Sequence, residues 1–405
     1  MKITNIKTFL MQAGGPKETA WSAGGAQGGM SSAGARNWLF VKVYTDAGVT
    51  GVGECSGWPR VCETAVRELE HIVVGEDPTH IERLWQRMNV AMMGHGQTGV
   101  LGYGAMAGID MALWDIKGKV LDTPVWNLLG GKVRDTVRAY SHASTVENAR
   151  SLVARGYTAI KTGGVADPLG KMADLRAALG DEIDLMVDLH GPPWLCAADA
   201  IAMCRELEQF RPLFVEEPVA PEAMQALRQV RERTSVPLAA GERLAGLFGQ
   251  RALIEDGLID VVQPDTGRSG GLTQMRKIAA LAEAHFVTVA PHAGTLGPVA
   301  EVAAVHFLAS IPNALILERF EDDWPGKQAV MGPPLECVNG FLIVPDRPGL
   351  GIDIDEDFIA AHPSERNVRL PITQGGGAYA PGTEDEAVYF QARRSRQHYF
   401  KRKLP

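Results

Sequence analysis

The chain has 405 residues, 45% of them hydrophobic and 22% charged, with a formal net charge of −8 at pH 7. This balance suits a soluble globular protein of one large or two medium domains and provides no general basic field, so nucleic acid is not an expected partner. No apolar run approaches the roughly 18 residues of a membrane helix. The N-terminal MKITNIKTFLM lacks the apolar core and cleavage site of a secretory signal, so a cytoplasmic protein with no membrane partner is expected. The five cysteines are odd in number, scattered and without a CxxC pair, and are expected as reduced, buried thiols.

Residues 14–35 are rich in Gly, Ala and Ser and carry too little apolar area to offset the entropy of ordering, as in a mobile lid loop. Residues 38–54, WLFVKVYTDAGVTGVGE, alternate apolar and polar residues on either side of Asp46-Ala47-Gly48 and predict an antiparallel hairpin. Helical spacing follows through ERLWQRMNVAMM and AMAGIDMALWDIKGKVL to Gly130 and Gly131, so residues 1–130 form an α+β unit.

From about residue 135 short apolar strands alternate with helical stretches. The strands are predicted at 137–141, 157–161, 184–190, 212–217, 237–242, 259–265, 287–292 and 314–318. Eight such units predict a closed (β/α)8 barrel, with an open doubly wound sheet as the competitor; polar residues at the C-terminal strand ends favour the barrel. Two further strand-like pieces around Asn339-Gly340, within residues 334–355, are expected to return to the first domain. The basic tail after Ala392 reads as a solvated or docked terminal segment.

Asp188, Glu216 and Glu242 end three successive predicted strands and point into the barrel mouth. Three converging carboxylates repel unless a cation neutralises them, and an oxygen-only set selects a hard ion, Mg²⁺ best of all where water and substrate share the site. His292 and Asp265 end adjacent strands, close enough for the carboxylate to fix the imidazole tautomer and raise its basicity, which makes a general base. Asp188 and His190 lie two apart and share a face if the strand stays regular. His190 then reads as a second acid/base group, with a fourth metal ligand or a helix cap as the alternatives. Trp58, His95 and His142 are candidates for substrate contact, with loop packing the alternative. Gly270-Gly271 can cradle a phosphate, although a turn after a strand requires such glycines anyway.

In order, the motifs AGIDMALWDIKGK (107–119), LLGG (128–131), VDLHG, EEP, GER, QPD, APH and LER resemble the mandelate racemase branch of the enolase superfamily, and its sugar-acid dehydratases most. The resemblance spans about residues 1–355. It implies a (β/α)7β barrel (131–345) under an α+β capping domain (1–130) to which residues 346–405 return. It implies Mg²⁺ held by Asp188, Glu216 and Glu242, Glu318 hydrogen-bonded to substrate oxygen, and homo-oligomers, dimers or octamers. Racemases of this branch carry a Lys-x-Lys pair on the second barrel strand. Here Lys161 matches the first lysine, a candidate contact for the substrate carboxylate or a structural residue, while Gly163 stands at the second and transfers no proton. The expected activity is therefore dehydration of an aldonic acid resembling galactonate. Epimerisation or cycloisomerisation through the same enediolate is the alternative, and a barrel retained only for binding is the third.

Overall fold

Alternation around the Asp46-Ala47-Gly48 turn produces an antiparallel pair, β2 (Arg36–Thr45) and β3 (Thr50–Cys55). A computed structural model describes residues 1–13, 36–94, 99–164, 167–190, 194–293, 296–320 and 325–364. The proposed lid 14–35, His95 and the basic tail lie outside them. A strand that the sequence pattern did not reveal, β1 (Ile3–Ala13), pairs along β2 from Ile3↔Thr45 to Ala13↔Arg36. Helices α1 (Pro59–Val73), α2 (Ile81–Met93) and α3 (Gly99–Val120) complete this unit.

Helix α3 is buried on all sides from Gly104 to Ile116, as a helix apolar all round must be. It lies so close to β3 that a Cβ on Gly53 would stand 2.0 Å from the Gly108 carbonyl oxygen. Glycine is the only residue that permits this approach.

After the short α4 (Val125–Leu128) the barrel begins. Its strands are β4 (Thr136–His142), β5 (Ala159–Gly163), β6 (Asp184–Asp188), β7 (Phe214–Glu216), β8 (Leu238–Ala240), β9 (Val261–Val262), β10 (Thr288–Val289) and β11 (Leu317–Glu318). Between them run α5 (Val146–Ala154), α6 (Pro168–Leu179), α7 (Ala197–Leu207), α8 (Met224–Arg231), α9 (Gly246–Glu255), α10 (Leu272–Ala284) and α11 (Pro298–Ser310). Strands β4 to β10 are parallel neighbours in sequence order, β11 pairs with β4, and a parallel bridge Val289↔Ala314 joins β10 to the segment entering β11. The sheet therefore closes, which rules out the open alternative. Each strand unit sends one side chain into a central plug of Tyr140, Ala159, Met186, Phe214, Ala239, Val261, Ala290 and Ile316. A packed interior of this kind is a floor for the mouth above it.

The predicted strands are trimmed in the structure: β6 stops at Asp188, and Glu242, Asp265 and His292 stand just beyond their strands. No α-helix follows β11 among the described residues until α12 (Glu356–Ala360), so the eighth helix of the periodicity reading gives way to (β/α)7β. In its place come a 3-10 turn (Pro325–Ala329), β12 (Met331–Gly332), β13 (Cys337–Val338), β14 (Phe341–Ile343) and β15 (Asp353–Ile354). The β13–β14 hairpin does not leave the barrel as expected, because β14 pairs antiparallel with β4. From Pro345 the chain joins the cap: the Pro345 carbonyl accepts from Trp126 Nε1 at 2.9 Å, Asp115 accepts from Leu350 N–H at 2.8 Å, and Lys42 pairs with Asp353 and Glu356. The five cysteines are all thiols; Cys196 is exposed and Cys337 half-buried, so the expected burial holds only for Cys55, Cys62 and Cys204.

Cap and barrel are fastened at helix N-termini. Asp110 of α3 accepts from Thr273 N–H of α10 at 3.0 Å, and Glu54 of β3 accepts from Gly297 N–H and, at 2.9 Å, from Ala300 N–H of α11. Each carboxylate satisfies amide groups that have no partner within their own helix and meets the positive end of its dipole. Gly271 belongs to this joint, since a Cβ there would lie 2.4 Å from Asp110 Oδ2. Trp85 Nε1 donates to the Gly270 carbonyl at 2.9 Å, so this glycine pair serves docking of the cap.

His306, wholly buried in α11, has its tautomer fixed at the same seam. Nδ1 accepts from Trp126 N–H at 3.2 Å, so Nε2 carries the hydrogen and donates to the Leu350 carbonyl at 3.1 Å. Burial pushes its pKa down from 6.5 to about 4. The unfolded chain therefore binds this proton more readily than the folded one, and the stability that neutral His306 contributes above pH 6.5 is lost as the pH falls toward 4. Urea unfolding of the wild type and His306→Gln at pH 7.5 and pH 5 should show the wild type losing about 2 kcal/mol more than the variant. Equal losses would mean that His306 is not held neutral.

Candidate active site

The parallel ladder sets the central residues side by side. Lys161 is opposite Met186, Gly163 is opposite Asp188, and Asp188 is opposite Glu216. Asp188, Glu216, Glu242, Asp265 and Glu318 are all buried, a density of charge that needs compensation.

Lys161 supplies much of it. Its ammonium lies 2.7 Å from Glu216, 2.7 Å from Glu318 and 3.7 Å from Asp188, over the Tyr140 ring. Burial alone would lower its pKa, but the surrounding carboxylates, Glu216 and Glu318 foremost, hold it well above the usual lysine range. Glu216 is pushed up by burial and by Asp188 in spite of Lys161. Its Oε2 accepts from Gln263 Nε2 at 2.9 Å, while Oε1 is buried without a hydrogen-bond partner.

His190 lies past the end of β6, yet it remains with Asp188. Its N–H donates to Asp188 Oδ1 at 3.0 Å, folding the loop back, and Nδ1 stands 2.7 Å from Oδ2 as a charge contact. Burial opposes protonation of this imidazole, but Asp188 outweighs it and raises the pKa to about 9. The His190 side chain is 25% exposed and opens toward the mouth.

Opposite it, His292 Nδ1 is 2.7 Å from Asp265 Oδ2, and Nε2 is 2.6 Å from Glu242 Oε2. Asp265 is itself oriented by Gly267 N–H at 2.8 Å and by Arg268, whose Nε also reaches Ser56 of the cap at 3.3 Å. Burial would lower the His292 pKa, but Glu242 and Glu318 raise it to about 10. As the side chains stand, Nε2 rests on Glu242, and base work requires that contact to open.

Glu318 accepts from Lys161, from Ala293 N–H at 2.6 Å and from His142 Nε2 at 2.6 Å. Burial pushes the His142 pKa down, leaving its imidazole neutral and stacked on Phe320 at 4.1 Å. Thus Asp188, Glu216, Glu242, Asp265, His190, His292, Glu318, Lys161 and His142 are brought together. Trp58 is not: it precedes α1, 49% exposed and outside the hydrogen-bonded cluster.

Sequence reasoning passed over four members. Glu217 is buried, with φ +41°, and pairs with Arg243, which also contacts Glu242 and lies 5.4 Å from the centre of the Trp194 ring. Gln263 is the fourth, donating to Glu216. All but Trp194 sit in the motifs EEP, GER and QPD, so the signal was a second polar residue close to Glu216, Glu242 and Asp265.

The donor set suits a hard cation. All its donors are carboxylate oxygens from adjacent strand ends, and the buried Glu216 Oε1 has no other partner. As the side chains stand, no three His, Cys, Asp or Glu among the described residues are arranged around one ion. Lys161, Arg243, His190 and His292 engage most of the oxygens instead.

Two family models cover most of the chain: the mandelate racemase/muconate lactonizing enzyme N-terminal domain over residues 18–130 and the enolase C-terminal domain-like region over 144–358. The chain belongs to the mandelate racemase/muconate lactonizing enzyme family of the enolase superfamily. It is similar to a putative member from Labrenzia alexandrii DFL-11, with 31% identity, 91% of this chain and 98% of that one covered, and a TM-score of 0.81. It is similar to the 3,6-anhydro-D-galactonate cycloisomerase from Zobellia galactanivorans (30%, 89% and 99%, TM-score 0.80). An enolase from Pantoea ananatis with bound D-gluconate and Mg is likewise similar (30%, 90% and 95%, TM-score 0.77). No helix among the described residues is long and apolar enough to cross a membrane.

Replacing Lys161 by Met leaves Glu216 and Glu318 buried without their ammonium. Breaking a buried pair in this way costs about 3–5 kcal/mol. Urea unfolding in EDTA should show a loss of that size, and a loss below 1 kcal/mol would mean that the other partners suffice.

Proposed function

We propose that the chain is a Mg²⁺-dependent dehydratase of an aldonic acid. The observation that carries this reading is the pair of imidazoles in different settings: His190, 2.7 Å from Asp188 and open to the mouth, and His292, oriented by Asp265 at 2.7 Å. Two titratable groups with separated duties are what elimination needs. The bound D-gluconate and Mg of the Pantoea relative support the substrate class and the ion.

Asp188, Glu216 and Glu242 would hold Mg²⁺, which when bound supplies Lewis-acid stabilisation of the charge that develops on a substrate carboxylate. His292, neutral with its hydrogen on Nδ1 toward Asp265 and its Nε2 free of Glu242, takes the α-proton at Nε2. Glu318, fixed by Lys161, His142 and Ala293 N–H, borders the same space. His190 gives its proton to the β-hydroxyl, the Cβ–O bond breaks, and water leaves. The resulting enol tautomerises to a 2-keto-3-deoxy acid.

Gly163 supports elimination over two-base racemisation. A Cβ there would meet Asp188 Cβ at an ordinary 3.7 Å, so the backbone does not require glycine; the sequence provides no second lysine. The cycloisomerase relative favours the second reading, in which His190 returns a proton to carbon. The two readings differ in product.

Purified protein with Mg²⁺ should convert at least one aldonic acid to a 2-keto product trapped by semicarbazide. Exchange of the α-proton in D₂O with no keto product would instead establish the second reading. His292→Asn should lower α-proton exchange by at least a thousandfold. His190→Asn should lower keto-acid formation by at least a hundredfold while exchange continues; undiminished dehydration would remove His190 from the mechanism.

A further inference from the structure

We propose that Glu217, Arg243 and Trp194 form a subsite for the hydroxylated tail of the substrate, one that selects an acid with a polyhydroxyl chain over a short acid without one. The inference rests on the sugar-acid reading and narrows it.

Glu217 follows a residue of β7 that faces the mouth, and regular alternation would send it away from there. Its φ of +41° turns the chain instead, so that Glu216 and Glu217 are both buried and both face cations. A bulky non-glycine residue in this region is strained, and such strain gathers at functional sites. One Glu217 oxygen pairs with Arg243. The other, Oε1, is buried and has no hydrogen-bond partner among the described residues. A buried acceptor without a donor is costly, and a substrate hydroxyl is the kind of donor that satisfies it.

Arg243 supplies the complementary half. Its Nη1 is committed to Glu217 and Glu242, but the side chain is 31% exposed, and the guanidinium has five N–H groups in all. Trp194 covers the guanidinium with its ring, an arrangement that adds cation–π attraction and an apolar surface on which C–H groups of a sugar chain can lie. Both Glu217 and Arg243 lie within electrostatic reach of His190, on the side where the leaving hydroxyl is expected.

The subsite offers a buried carboxyl acceptor and guanidinium N–H donors at close range beside an aromatic face, which suits the neutral hydroxyls of a carbon chain.

The test compares kcat/KM for a six-carbon aldonate and for glycerate, which has no tail, each with Mg²⁺. The wild type should prefer the aldonate by at least tenfold. Glu217→Gln and Trp194→Ala should each reduce the aldonate-to-glycerate ratio at least tenfold, mainly through KM. The Mg²⁺ affinity of Glu217→Gln, read by calorimetry, should stay within threefold of wild type. Equal kcat/KM on the two acids, or a Glu217→Gln variant that loses Mg²⁺ and both substrates alike, would overturn the subsite while leaving the dehydratase reading intact. If no aldonate binds to the Mg²⁺-loaded wild type by calorimetry, both fall.

Discussion

Six carboxylates, Asp188, Glu216, Glu217, Glu242, Asp265 and Glu318, share the buried mouth of one barrel, and the surrounding structure answers to their mutual repulsion. Lys161 bridges three of them, Arg243 two, His190 meets Asp188, and His292 meets Asp265 and Glu242 and lies 3.8 Å from Glu318. In a low-dielectric setting none of these charges is tolerable alone, so each cation is placed by at least one acid and each acid by a cation or by backbone N–H groups. The floor beneath them, one side chain from each strand unit, keeps water from relieving the strain from below.

This balance also separates two histidines of similar chemistry. His190 rests on a carboxylate from one side only and opens to the mouth, so its proton is both held and accessible. His292 is clasped at both nitrogens, by Asp265 for orientation and by Glu242 for charge. The proposed division of labour, one ring delivering a proton and the other receiving one, follows from which contact is fixed and which can open.

Much of this was legible in the sequence, because parallel strands recur with acidic ends and a strand has a period of two. The positions of Asp188, Glu216 and Glu242 required nothing more. Glu217 was illegible because its burial depends on a left-handed backbone that no alternation rule foresees. Arg243 and Gln263 were hidden by the prominence of their neighbours, and Trp194 by lying in the loop after β6. His190 was placed beside Asp188 on the assumption of a regular strand; the structure ends the strand two residues earlier and restores the proximity through a backbone hydrogen bond to the carboxylate. The strand β1 escaped because only Ile3, Ile6 and Met11 mark its buried side strongly, among mixed residues. The β13–β14 hairpin was visible at Asn339-Gly340, but its partner β4 lies some two hundred residues away and no local pattern names it.

The carboxylates of Glu54 and Asp110 give the joint between cap and barrel a bearing on recombination. Because they complete the N-termini of α11 and α10, the barrel does not end at its own sequence boundary: two of its helices depend on side chains supplied by the other unit. A chimaera that kept this barrel and took another cap would need an acceptor at both places, and a glycine like Gly271 to admit it. Interchange of caps among related barrels is thus constrained by a pair of residues that never touch the chemistry.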